Sequence, residues 1–229
     1  MASVSRRSRK KSIEYPSGDG RPIAETPTHR INLTDLIQML ERWFAKDDMV
    51  YISGNMFVYY VEGAPNKRLS PDVFMVRGVP RDKERDYYLI WEEGKGPDVV
   101  FELTSRSTKE EDLEDKFRLY QDVLKVQEYF LFDPKAEYLK PSLQGFRLHR
   151  GRYVPIPRIK RRLPSKVLGL HLVRQGARLR LYDPATCKWL LTYREAVAEI
   201  RANIQRLEGE IKRIRRKTKE LRRRASQNP

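Results

Sequence analysis

A single cysteine, Cys187, leaves no partner for an internal disulfide and no thiolate set for a structural metal. It follows the turn Asp183-Pro184-Ala185-Thr186 with no adjacent base, so a packing role is expected for it. The three histidines, His29, His149 and His171, stand far apart without metal-ligand spacing. There is no glycine-rich phosphate loop and no internal repeat. No segment approaches the roughly 18 consecutive apolar residues of a membrane span. No apolar stretch follows the first basic residues, so a secretory signal is not expected either. Disulfide-framed, zinc-ribbon, P-loop and helical membrane classes are thereby set aside, and a cytoplasmic protein without membrane partners is expected.

What is abundant is positive charge. The formal net charge is +16 over 229 residues, and the mean hydropathy is −0.71. The distribution says more than the sum. Arg6, Arg7, Arg9, Lys10 and Lys11 stand at the front with no acidic residue among them, and residues 201–229 hold eleven basic and three acidic side chains. A nearly balanced middle between two basic ends suggests a polyanion held by the ends, and nucleic acid is the obvious one. The plainer alternative is that the basic ends only aid solubility. The length suits one ordinary domain with appendages.

Residues 1–30 are polar and broken by Pro16, Pro22 and Pro27, and are expected to be a disordered basic arm. Thr34 is a good N-cap for a helix whose apolar face is Leu36, Ile37, Leu40, Trp43 and Phe44. Strands are expected at Met49–Ser53 and Met56–Val61, joined through Gly54-Asn55. Others are expected at Asp72–Val76, Tyr87–Trp91, Asp98–Thr104 and Glu128–Phe132. Ser107 and Thr108, each followed three residues later by Glu110 or Glu111, mark a capping box. The helix it opens would bury Leu113, Phe117, Tyr120 and Leu124. Phe146–Leu148, Tyr153–Ile156, Gly169–Val173 and Leu179–Tyr182 read as short strands of a β-rich completion. The order predicts an α/β core with a mixed central sheet over residues 31–185.

Two carboxylates stand out inside this pattern. Asp72 follows Pro71 and opens Asp72-Val73-Phe74-Met75-Val76, and Glu102 lies within Asp98-Val99-Val100-Phe101-Glu102-Leu103-Thr104. Carboxylates in apolar strands are costly unless something cationic compensates them. Two on neighbouring strands would repel each other, which makes a bound divalent cation their natural partner, as in metal-dependent phosphodiester hydrolysis. Taken alone, Asp72 also reads as a strand-start turn residue and Glu102 as half of a structural ion pair. Ser105 and Ser107 suit helix capping better than nucleophilic catalysis.

Pro71-Asp72, Phe101-Glu102-Leu103-Thr104-Ser105-Arg106-Ser107-Thr108, Asp112, Lys116, Tyr120 and Glu128-Tyr129-Phe130-Leu131-Phe132-Asp133-Pro134 resemble, in order and spacing, the Uma-type restriction endonucleases. These form a bacterial branch of the PD-(D/E)XK nuclease superfamily. The resemblance is clear over residues 70–135 and extends over about 31–185. It implies a restriction-endonuclease-like core and Mg²⁺-dependent cleavage of DNA, with Mn²⁺ as a substitute. It also implies Asp72, Glu102 and the Leu103 backbone carbonyl as metal ligands, and Lys116 as the group assisting the attacking water. The superfamily lysine two residues after the glutamate is here Thr104, so the basic role would move onto the following helix. There Asp112, Lys116 and Tyr120 make one stripe at intervals of four; an Asp112–Lys116 surface pair is the plainer account of it. Many relatives of this fold use a helix glutamate as a further ligand, for which Glu41 is the candidate. Lys125-Val126-Gln127 departs from the family's usual glycine-valine at that place.

Val197, Ile200, Ile204, Leu207, Ile211, Ile214, Thr218 and Leu221 alternate by three and four, a coiled-coil-like seam in a basic helix expected over residues 190–229. Thr218 weakens the seam and Gly209 costs about 1 kcal/mol relative to alanine. A homodimer is suggested by the seam without being required by it. The expectation is a Mg²⁺-dependent endodeoxyribonuclease; the competing reading is a catalytically inactive nucleic-acid-binding or scaffold protein that uses its basic termini.

Overall fold

The structure is a computed structural model that describes residues 13–18, 26–104 and 114–225. The basic run Arg6–Lys11, the capping-box residues Ser107, Thr108, Glu110 and Glu111, and Asp112 and Leu113 lie outside the described residues. The chain divides into two compact units, one ending at Leu190 and the other spanning Leu191–Pro229.

The first unit opens with helix α1 (Pro27–Trp43), earlier than the expected cap at Thr34. Thr26, in extended conformation, accepts a hydrogen bond from the His29 N–H at 3.2 Å, and Pro27 takes the first helical position. A threonine cap followed by proline pre-sets the helical φ and removes an N–H that would have no partner, so it outcompetes Thr34. Residues 27–30 are therefore helical and not part of a disordered arm. Tyr15 and Pro16 also have fixed partners: the Tyr59 hydroxyl donates to the Pro16 carbonyl at 2.5 Å, and the Gly63 N–H donates to the Tyr15 hydroxyl at 2.7 Å.

The central sheet contains β1 (Val50–Ser53), β4 (Val73–Arg77), β6 (Val99–Leu103), β7 (Glu128–Phe132), β8 (Leu143–His149) and β9 (Arg152–Pro155), in that spatial order. Within it only β6 and β7 run parallel, so the sheet is mixed. Both faces are covered, which is why β4, β6 and β7 are nearly unbroken apolar runs. Val73, Met75, Val99, Phe101, Phe130 and Phe132 face α1 and a four-stranded antiparallel sheet, β10 (Leu163–Ser165), β11 (Leu170–Gln175), β12 (Arg178–Asp183) and β13 (Lys188–Trp189). Phe74, Val76, Val100, Tyr129 and Leu131 face the opposite way, toward Tyr88, Tyr120 and Tyr153. Each such aliphatic or phenyl side chain contributes about 1.5–3 kcal/mol on burial. The period of two puts Glu102 on the face of Val100, and Asp72 stands in the bend just before β4, at the same end of the sheet.

Gly54-Asn55 does not make a hairpin. β1 pairs with β4, whereas β2 (Val58–Tyr59) joins β3 (Arg68–Leu69) and β5 (Tyr88–Leu89) in a separate three-stranded sheet. Asn55, at φ 50°, turns the chain from one sheet to the other and donates its N–H to the Pro71 carbonyl at 3.0 Å. A Cβ on Gly54 would lie 2.1 Å from the Asp72 carbonyl oxygen, so glycine is required by close backbone approach. Tyr87–Trp91, expected as one element, splits into β5 and the helical turn α2 (Ile90–Glu93). The expected helix ending at Leu124 is α3 (Lys116–Arg118) followed by a π-helical turn, Leu119–Val123, in which the Leu124 N–H reaches back to the Leu119 carbonyl at 3.0 Å. Cys187 is exposed with φ 58°, so it occupies a turn and does not pack in the core.

In the second unit the described residues form one 33-residue helix, α4 (Tyr193–Ala225). It opens on a capping box: Thr192 Oγ1 accepts from the Glu195 N–H at 3.3 Å and Glu195 Oε2 accepts from the Thr192 N–H at 2.8 Å. The seam residues Ile200, Ile204, Leu207, Ile211, Ile214 and Leu221 are all exposed along it.

Candidate active site

The register of β4 on β6 places Val73 opposite Phe101, so Asp72 and Glu102 are the next residues on the two adjoining strands. Asp72 sits at the strand entrance. Its Oδ2 accepts the Leu103 N–H at 2.6 Å, which fixes the carboxylate against the end of β6. Its Oδ1 lies 3.3 Å from Nε2 of His29, on the first turn of α1.

Glu102 is 1% exposed. A bare carboxylate there would cost several kcal/mol, and its partners are correspondingly specific. Lys116 Nζ lies 3.1 Å from Oε2, and the Tyr120 hydroxyl donates to Oε1 at 2.7 Å. Lys116 and Tyr120 are four residues apart, so α3 and the π turn present both donors on one stripe, as the spacing predicted. Complete burial, reinforced by the Glu102 charge, holds the Tyr120 phenol well above its ordinary pKa, so it remains a donor. A π turn beside such a cluster is a recurrent feature of functional sites.

The lysine position of the general signature is held by Thr104, buried at the end of β6. Its N–H donates to the Phe132 carbonyl at 2.8 Å, and its hydroxyl pairs with the Tyr138 hydroxyl. It carries no charge to the site; the ammonium comes from Lys116. Glu41 is exposed on the other end of α1, beside a cleft lined by Phe44, Arg81 and Asp82. It follows His29 by twelve residues, about 18 Å along a helix axis, so it does not join this cluster.

The residue that sequence reasoning missed is His29. Nothing in its spacing relates it to Asp72. Only recognition of Thr26-Pro27 as the helix start would have brought it to the sheet. Glu128, part of the family motif, is structural. It is fully buried and binds Arg147 at 2.7 Å, the Ser165 hydroxyl and the Lys166 N–H at 3.0 Å, tying β7 to the second sheet. Asp133 likewise organises its own loop, accepting the backbone N–H groups of Lys135, Ala136, Tyr138 and Leu139.

Among the described residues no three His, Cys, Asp or Glu side chains converge on one point as a ready metal cage. Two carboxylates suit a small hard dication that keeps several waters. Asp72 and Glu102 fit that requirement by donor chemistry: both are oxygen donors, both are pre-oriented, and each carboxylate oxygen has a second lone pair beyond the bond described. Two clefts are lined by neighbours of the carboxylates. One, of about 460 Å³, is lined by His29, Leu103, Thr104, Asp133 and Tyr138. The other, of about 580 Å³, is lined by Phe57, Arg68, Ser70, Lys116 and Arg118.

Comparison with known proteins adds the family. The model of the family described as "Uma2: Putative restriction endonuclease" matches residues 3–177. No curated protein matches the chain. Among solved structures, a putative nuclease belonging to DUF820 from Anabaena variabilis is similar at 12% identity, covering 66% of this chain and 80% of that one with a TM-score of 0.47.

Proposed function

Because this chain belongs to the Uma2 restriction endonuclease family, we propose that it hydrolyses phosphodiester bonds of DNA at the Asp72–Glu102–Lys116 cluster. The observation that carries the reading is the pair of carboxylates on adjoining strands with an ammonium 3.1 Å from the buried one. Asp72 and Glu102 hold a divalent cation, Mg²⁺ or Mn²⁺, with the Leu103 carbonyl as the further ligand that the family resemblance implies. Such an ion, when bound, neutralises the phosphoryl oxygens and eases deprotonation of water near neutral pH.

The chain's own groups supply the rest. The Leu103 N–H keeps Asp72 in one orientation, and Tyr120 does the same for Glu102, so neither carboxylate needs to reorganise when charge builds on the phosphate. Lys116, on the side of the larger cleft, is a point charge for a non-bridging phosphate oxygen or for the attacking water. Arg68 and Arg118 line the same cleft and suit the flanking phosphates. The basic helix α4 is a phosphate-binding appendage to this nuclease unit, and its seam is suited to pairing two copies so that both strands can be cut.

The test is nicking of supercoiled plasmid with Mg²⁺ or Mn²⁺ by the wild type, Asp72→Ala and Glu102→Ala. Cation-dependent nicking that both substitutions abolish while DNA binding persists is the expected result. Wild-type binding without cleavage across metals and substrates would instead establish an inactive nucleic-acid-binding protein, the reading that the basic helix alone would favour.

A further inference from the structure

We infer that His29 is a ligand of the cation seated at Asp72, and that the site for this reason takes Mn²⁺ in preference to Mg²⁺. The inference rests on the proposal that Asp72 holds a divalent cation.

Three features of the geometry carry it. Asp72 is fixed by the Leu103 N–H, which Oδ2 accepts at 2.6 Å, and its Oδ1 is directed toward α1. On that side stands Nε2 of His29, 3.3 Å from Oδ1. Two ligands bound cis to one ion at about 2.0–2.2 Å lie about 3 Å from each other, so the pair is already near the spacing that shared coordination requires. Finally, the imidazole is delivered by a rigid element. Thr26 caps the His29 N–H and Pro27 fixes the first helical φ, so the ring is not carried on a loop. A cleft lined by His29, Leu103 and Thr104 opens on the imidazole's side and has room for waters and a phosphate.

The chemical consequence is selectivity. Mg²⁺ demands an oxygen shell, whereas Mn²⁺ accepts an imidazole nitrogen among oxygens. His149 and His171 lie on β8 and β11, and the histidine beside Asp72 is His29.

The test needs neither DNA nor turnover. The full chain, His29→Gln and Asp72→Asn are titrated with Mn²⁺ and with Mg²⁺ by calorimetry, and pulsed electron paramagnetic resonance is recorded on the wild type loaded with Mn²⁺. The wild type is expected to bind Mn²⁺ at least about tenfold more tightly than Mg²⁺, and His29→Gln to bring the two within about threefold by losing Mn²⁺ affinity. Histidine nitrogen coupling to Mn²⁺ is expected in the wild type and absent in His29→Gln. An unchanged preference in His29→Gln, or no nitrogen coupling in the wild type, overturns the inference while leaving a cation at Asp72 intact if Asp72→Asn still weakens both ions. No binding of either ion by the wild type, or indifference to Asp72→Asn, removes the cation proposal and this inference with it.

Discussion

Replacing Lys116 by methionine isolates what the ammonium does for Glu102 before any chemistry begins. The pair is tightly enclosed: the Glu102 side chain is 1% exposed and that of Lys116 16%, with 3.1 Å between Nζ and Oε2. Methionine keeps the aliphatic stem and removes the charge. Glu102 then loses the ammonium and keeps the bond from the Tyr120 hydroxyl. Breaking a buried pair from one side costs about 3–5 kcal/mol, and the partial access at Lys116 argues for the lower end, about 3 kcal/mol. At about 2–4 °C per kcal/mol for a unit of this size, Tm should fall by roughly 6–12 °C.

The measurement is urea denaturation in EDTA, with Glu102→Gln and the double variant completing the cycle. The double variant removes both charges of the pair together, so it should recover about 2 kcal/mol relative to the sum of the single costs. A divalent cation should stabilise Lys116→Met more than wild type, because it supplies the charge that the substitution removed. A loss under about 0.5 kcal/mol for Lys116→Met, or single costs that add within about that margin, would refute the buried-pair argument.

Other consequences are open to measurement. Gly54→Ala must displace backbone, since its Cβ would lie 2.1 Å from the Asp72 carbonyl; a destabilisation of about 2–3 kcal/mol and weakened Mn²⁺ binding are expected in the same titration. Tyr120→Phe removes a donor to a charged, buried acceptor and should cost about 2 kcal/mol by denaturation, with no change in secondary structure by circular dichroism. Glu93, paired to Arg85 through two hydrogen bonds and to Lys83, has its pKa lowered to about 2 from 4.5. Because the folded value is the depressed one, its stabilisation of about 3 kcal/mol is present above pH 4.5 and drains away as pH falls toward about 2. Glu93→Gln should therefore show a shallower loss of urea midpoint across that window. Replacing Arg215, Arg216, Lys217 and Lys219 on α4 by glutamine should weaken DNA binding and flatten its salt dependence by about one unit of slope for each phosphate no longer neutralised, while calorimetric metal binding stays unchanged.

Where the sequence was legible, each signal had a short physical range. Glu128–Phe132 forms a strand over those residues, because its run of large apolar and aromatic side chains between turns admits little else. The i, i+4 spacing of Lys116 and Tyr120 needed only helical geometry to put both on Glu102. The failures came where a distant contact decided the outcome. Gly54-Asn55 carries a hairpin signature, yet its backbone is needed against Pro71 and Asp72, and that crowding sends the chain into another sheet. The π turn has no periodic signature at all, being one residue longer per turn than the pattern that exposed the helix. Cap strength, not periodicity, decided where α1 begins, and with it whether His29 belongs to a polar arm or to the site.

The two carboxylates also differ in a way that bears on how the cluster works. Glu102 is deep, and its countercharge is built into the fold through Lys116, so the sheet can form without an ion. Asp72 is at the strand entrance, 17% exposed, and neighbours a histidine whose charge depends on its protonation. Cation exchange should therefore be felt first at Asp72, with Glu102 responding through the shared strands. If so, Asp72→Asn should lower cation affinity while sparing the stability of the metal-free chain. Glu102→Gln should lower both, because it takes one charge out of the buried pair with Lys116. The contrast is read from two denaturation curves in EDTA and two cation titrations. Equal stability losses for the two substitutions would show that burial depth does not separate their roles.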